Sequence, residues 1–167
     1  MTEQEQNDQK FMSLALAQGQ LAFDCGEVPV GAVVVLAGRV IGRGYNQPIT
    51  RLDPSAHAEV VALRDAAKNI GNYRLSGATL YVTVEPCTMC TGLLVHSRID
   101  RLVYGTTEPK SGVIESAMCL LDCSFYNHKI DVCGGVLAQE AATLMSDFFT
   151  MRRKGKKKLK QTNNKEN

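Results

Sequence analysis

Pro86 constrains this chain more than any other single residue. It closes Ala78-Thr-Leu-Tyr-Val-Thr-Val84, a run rich in β-branched and aromatic residues that reads as a buried or half-buried strand. Proline cannot donate to a sheet ladder but suits the first position of a helix, so strand gives way to helix here. The spacing predicts that Cys87 and Cys90 fall in the opening turn of a helix running toward His96, on one face. Unpaired N–H groups and the positive end of the helix dipole favour thiolate there, the form that binds metal or reacts. A C-x-x-C at a helix start serves redox exchange as readily as metal binding, so other residues must separate the two.

Strand and helix signals alternate along the rest of the chain. Met12, Leu16, Gly19 and Phe23 recur at helical spacing and predict a first helix over 8–23. Val28–Leu36 and Arg39–Asn46 read as a hairpin turned at Ala37-Gly38, its first strand apolar enough to be covered on both sides. Asp53 as N-cap and Pro54 at the first position predict a helix that carries His57 and Glu59 near its start and stops at Gly71-Asn72. Arg101–Gly105 is a further strand, 106–128 is loop-rich with at most a short helix near Glu115–Leu121, and Lys129–Cys133 is a last strand. Leu137, Ala141, Leu144 and Phe148 form the apolar stripe of a final helix. The pattern implies a layered α/β sheet in one domain.

Charge is unevenly spread. From Met151 onward eight Lys/Arg face one Glu, a net +7, while the remainder carries −5. The expectation is a folded body through residue 153 and a basic, disordered tail over 154–167, either solvated or in contact with a polyanion. No run approaches the roughly 18 apolar residues of a membrane span, and the polar, acidic N-terminus is unlike a signal peptide. A cytoplasmic protein with no membrane partner is expected, its six cysteines reduced or metal-bound.

Two thiolates need partners to close a metal site. His57 is the best candidate, since the thirty residues before Cys87 hold one helix, a connection and one strand, and two helix N-termini would then point at a common place. Zn²⁺ with two thiolates and a neutral imidazole sums to zero and keeps an open position for water. Such water has a pKa of about 7. Glu59 is the candidate proton carrier, although i,i+2 side chains do not share a helical face. A fourth ligand from His96 or another cysteine would make the site closed and structural. Cys119, Cys123, His128 and Cys133 form a second cluster, but its spacing matches no common zinc module and buried cysteine is an ordinary small hydrophobe.

His57-Ala58-Glu59 and Pro86-Cys87-Thr88-Met89-Cys90 match the H-x-E…P-C-x-x-C signature of zinc nucleobase deaminases. With Glu27-Val-Pro-Val-Gly-Ala, Gly44-Tyr-Asn-Gln-Pro, Asp53-Pro-Ser-Ala-His-Ala-Glu, Asn72-Tyr-Arg and Leu144-Met-Ser-Asp-Phe-Phe-Thr-Met-Arg-Arg, the chain resembles the bacterial tRNA-specific adenosine deaminase family over roughly residues 10–153. The resemblance implies a three-layer α/β/α fold around a central mixed five-stranded sheet, of cytidine deaminase-like type. It implies one Zn²⁺ per chain on His57, Cys87 and Cys90, with Glu59 as proton shuttle, in a homodimer that converts the wobble adenosine of a tRNA anticodon stem-loop to inosine. Asn46 then contacts the flipped base, and Glu27, Glu108, Lys110, Phe149, Arg152 and Arg153 are substrate contacts. Glu108 departs from the aspartate expected there by one methylene. Other readings stay open: Asn46 suits a turn before Gln47-Pro48, Phe149 suits the core, and the motif equally serves a free base or nucleoside. A non-catalytic zinc-containing RNA-binding module and a thiol redox protein are the readings of a different class.

Overall fold

The computed structural model describes residues 1–165. Helix α1 (Glu3–Asp24) begins at a capping box, in which Thr2 Oγ1 accepts the Glu5 N–H and the Glu5 carboxylate accepts the Thr2 N–H. It starts five residues before the spacing predicts, because its buried stripe opens only at Asp8 while its cap lies at Thr2. Strands β1 (Gly31–Leu36) and β2 (Arg39–Tyr45) form the expected antiparallel hairpin. A single turn, α2 (Pro48–Arg51), leads toward α3 (Ala58–Ile70), which ends at Gly71 with φ 70°. Asp53 does not cap that helix. Its Oδ1 accepts the Ser55 N–H and hydroxyl instead, a local turn that delays the helix to Ala58.

Strand β3 (Thr79–Val84), helix α4 (Thr88–His96) and strand β4 (Arg101–Thr106) follow as a parallel crossover unit. After a long loop with one 3₁₀ turn at Leu120–Asp122, β5 (Asp131–Cys133) pairs parallel to β4. The sheet order β2-β1-β3-β4-β5, with β1 antiparallel to both neighbours, is the mixed five-stranded sheet expected.

Alternation along each strand divides the core into two layers. Ala32, Val34, Leu80, Val82, Leu102 and Tyr104 face the side covered by α3 and α4. Val33, Val35, Tyr81 and Val103 meet Phe11, Met12 and Ala15 of α1 on the other. The final helix, α5 (Ala138–Asn163), joins α1 there, Ala141 resting beside Gly105 and Phe148 packing edge-on against Phe23. The result is a three-layer α/β/α fold.

Helix α5 runs on through 154–163, residues for which the charge run predicts a disordered tail; the last two positions of that tail lie outside the described residues. Lysine and glutamine are good helix formers, no proline intervenes, and cations at a helix C-terminus complement its dipole. Among the described residues no helix is long and apolar enough to cross a membrane.

One partly buried ion pair ties α1 to the sheet. Arg101 donates to both oxygens of Asp8 at 2.7 Å, and Tyr81 Oη donates to Oδ1 at 2.9 Å. Burial alone would raise the Asp8 pKa, but these hydrogen bonds, a further one from Gln4 and the Arg101 charge hold it below the usual carboxylate range. A depressed folded pKa means stability that is full above the unfolded value and lost as pH falls through the folded one. Asp8→Asn is therefore expected to cost about 3 kcal/mol in urea unfolding at pH 7. The gap should begin to narrow below about pH 4 and close only as the pH falls through the lower folded value.

Candidate active site

The site lies beyond the carboxyl end of β3, where two helices begin. His57 is the N-cap of α3 and Cys87 the N-cap of α4, both in extended backbone (φ −72°, ψ 155° and φ −81°, ψ 179°). Cys87 thus stands one step before the helix rather than inside its first turn, and Pro86 precedes the cap. Cys90, three residues on, is fully buried under it. His57 Nδ1 is 3.7 Å from Cys87 Sγ and 3.6 Å from Cys90 Sγ. Among the described residues this is the one group of three or more His, Cys, Asp or Glu side chains close enough to share a metal ion.

Two of the readings that the spacing left open, a fourth ligand from His96 or a later cysteine and a second metal cluster, find no support in this geometry. His96 sits at the far end of α4 and supplies no fourth ligand. Cys119, Cys123, His128 and Cys133 are not brought together, and the His128 ring donates at 2.6 Å to the Ile99 carbonyl.

Glu59 enters the same site although it is two residues from His57. The helical face rule does not apply across a cap, because His57 lies outside the helix and Glu59 is the second residue inside it. Glu59 is 4% exposed. Burial pushes its carboxyl above the ordinary range, against the hydrogen bonds it accepts from its own N–H and the Cys90 thiol. In the thiol pair, the hydrogen bond from Cys90 brings Cys87 down to about 4 despite burial. Cys90, donating that bond from a buried position, is raised and holds the proton. The hydrogen bond with Cys87 lifts His57 above its ordinary value, outweighing burial.

A cavity of about 150 Å³ opens onto these groups. Val28, Val30, Val84 and Met145 give it apolar walls, and Asn46, His57, Glu59 and Cys87 give it polar groups, with Glu85, Glu108 and Ser111 completing the lining. A small flat ring with polar edges suits such a lining. Asn46 has a second duty. Since His57 makes no side-chain cap, Asn46 Oδ1 accepts the Ala58 N–H at 2.8 Å across the chain.

Of the other sequence-predicted residues Glu108 lines the cavity, and Glu27, Lys110, Phe149, Arg152 and Arg153 do not. Glu27 is buried off the cavity, its carboxylate accepting the Ile49 N–H and the Thr50 N–H and hydroxyl. Those bonds outweigh burial and keep its pKa low. Glu108 Oε1 accepts the Lys110 N–H at 3.0 Å. Phe149 is exposed beside Phe148, Arg152 lies over the Phe148 ring at 5.3 Å, and Arg153 donates to Thr150. Sequence reasoning missed Met145, Ser111 and above all Glu85. A glutamate closing the apolar run Leu80–Val84 was the available signal, because a buried carboxylate needs donors.

A MafB19-like deaminase family model matches residues 6–153. The tRNA-specific adenosine deaminase of Haemophilus influenzae is 51% identical over 151 residues, 90% of this chain and 87% of that protein. The enzyme of the same name from Bacillus subtilis is 43% identical over 150 residues, 90% of this chain and 93% of that protein. A structure solved in a study of A-to-I editing by tRNA:A34 deaminases superposes with a TM-score of 0.79 at 44% identity, over 81% of this chain and 98% of that one.

The two duties of Asn46 can be separated. Asn46→Ala should lower stability by about 1 kcal/mol in urea unfolding by uncapping α3. Asn46→Asp keeps the acceptor and should restore most of that stability, while losing whatever depends on the amide N–H donors.

Proposed function

The chain belongs to the tRNA-specific adenosine deaminases, and we propose that it hydrolyses the wobble adenosine of a tRNA anticodon to inosine, with one Zn²⁺ per chain on His57, Cys87 and Cys90. The spacing of the donor atoms carries this reading. Zn–S bonds of about 2.3 Å and a Zn–N bond of about 2.0–2.1 Å in tetrahedral geometry require N···S separations of about 3.6 Å. The two observed are 3.7 and 3.6 Å. Three protein ligands leave one position open, as catalytic sites need. When bound, zinc supplies the Lewis acidity that brings the pKa of water from 15.7 to about 7.

The chain's own residues supply the rest. The Glu59 carboxylate takes a proton from the attacking water as its oxygen bonds to C6, and returns it to the amine as the C6–N bond breaks. Adenosine and water thereby become inosine and ammonia. Glu59's raised pKa suits a group that must both accept and release that proton. The apolar walls take the faces of the base, and Asn46, its Oδ1 committed to Ala58, keeps its amide N–H groups as donors for a ring acceptor.

RNA contacts follow the charge. From Arg152 to Lys160 the exposed end of α5 carries seven cations and no acidic residue, a match for phosphates. We read Phe149, Arg152, Arg153 and Lys110 as RNA contacts and Glu108 as a lining group facing sugar or base. Glu27 acts as a support that holds α2 in place. A homodimer is part of this reading, and the exposed Tyr73 beside an apolar depression formed with Leu63, Ala67 and Leu93 offers a surface for a second copy. Cytoplasmic location fits a site that needs reduced thiols.

Zinc-loaded protein should form inosine in an anticodon stem-loop bearing a wobble adenosine, and far more slowly from free adenosine. Absence of inosine at full zinc occupancy sinks the proposal. Glu59→Gln should keep its zinc and lose at least about 10²-fold in kcat. Truncation after Arg153 should leave kcat and stability unchanged and flatten the dependence of log affinity on log salt by about 0.7–0.9 for each phosphate no longer neutralised. An unchanged slope would mark the helix end as merely solvated.

A further inference from the structure

Glu85 occupies the single position between the end of β3 and Pro86, two residues before Cys87, and is 3% exposed. Its carboxylate accepts five donors from one segment of the loop after β4. Oε1 accepts the N–H groups of Ile114, Glu115 and Ser116 at 3.1, 2.7 and 2.9 Å. Oε2 accepts the Glu108 N–H at 2.9 Å and the Ser116 hydroxyl at 2.5 Å. The next residue adds a sixth tie, with the Pro86 carbonyl accepting the Val113 N–H at 3.0 Å.

The segment folds closely around this carboxylate. A Cβ at position 112 would overlap Glu85 Oε2 and the Glu108 carbonyl, so only glycine passes there. Residues 107–119 contain no helix or strand, and beyond the Glu85 and Pro86 contacts the backbone bonds of 108–117 are the two turn bonds Gly112 N to Glu108 O and Ala117 N to Gly112 O, the Leu120 N–H donated to Val113 O, and the local Lys110 N–H donated to the Glu108 carboxylate. The segment carries Glu108 and Ser111, which line the cavity. This part of the cavity lining is therefore tied to Glu85 and Pro86, directly before the candidate metal ligand Cys87.

We propose that Glu85 is a positioning residue that holds segment 108–111 over the cavity, so that the strand carrying the target base meets an ordered wall. This rests on the reading of the cavity as the site of an RNA base. Glutamine at position 85 would turn one acceptor oxygen into an NH₂ facing N–H donors: at Oε2 it loses the Glu108 N–H bond while the Ser116 hydroxyl can turn to accept, and at Oε1 it loses three. The loss falls on binding and orientation, because the groups that move protons are untouched.

The test uses the full-length, zinc-loaded chain. Glu85→Gln should raise KM for the stem-loop by about tenfold, keep kcat within about threefold and retain zinc. Amide exchange at Ile114, Glu115 and Ser116 should accelerate together. Ser116→Ala, which removes one of the five bonds and lies on the loop, should shift KM in the same direction by about threefold. A Glu85→Gln protein with unchanged KM, with its loss confined to kcat or zinc content, or with amide protection intact overturns the proposal. If Glu85→Gln fails to fold, Ser116→Ala and Gly112→Ala are judged by the same criteria. If the parent itself makes no inosine, the functional reading has failed. Stem-loop binding and amide exchange of parent against variant then decide the role of Glu85.

Discussion

Helix α3 delivers His57 to Cys87 only because its backbone lies directly on β2. Gly42 and Gly44 omit the side chains that would hold it off: a Cβ at Gly44 would stand 2.5 Å from the Ala62 nitrogen. The helix answers with Ala58, Ala62 and Ala66, each wholly buried, at intervals of four. Closeness here sets the height at which α3 begins, and so the 3.7 Å between His57 Nδ1 and Cys87 Sγ. It also brings Asn46, just past β2, within reach of the Ala58 N–H. The opposite face is built alike, with Gly31 against the backbone of Ala15 and Gly19 in α1.

Among the described residues four carboxylates are buried, and their surroundings divide them into two kinds. Asp8, Glu27 and Glu85 are each supplied with several donors, which overcome burial and keep them charged. Each fastens something: α1 to the sheet, α2 beside the site, the 108–116 segment over the cavity. Glu59 receives fewer hydrogen bonds and keeps a raised pKa. Satisfied carboxylates make rigid joints, and the under-satisfied one is left able to exchange a proton.

Much of the fold was legible because it follows from short-range pattern. The hairpin, the strand before Pro86, α3 with its glycine stop and the final helix all rest on periodicity and caps within a few residues. Misplacements came where a local signal had a competing use. Asp53-Pro54 forms a turn instead of a cap, and the lysine run continues a helix, because charge and helix propensity are independent properties of lysine. Glu27 shows the same limit at the site: its charge was legible, but not that Ile49 and Thr50 would engage both of its oxygens.

By itself the sequence determined the chemical inventory: two thiols three residues apart after a proline, a histidine and a glutamate thirty residues upstream, and a cationic end. Those are properties of residue type and short spacing, which the chain carries whatever its tertiary arrangement. Only the tertiary structure decided that His57 and Cys87 cap two converging helices, that His96 and the later cysteines stay away, and that the Glu85 carboxylate binds the segment 108–116. Such relations join residues some thirty positions apart, and packing of glycine against alanine and burial of carboxylates beside donors set them, neither of which leaves a periodic trace in the chain.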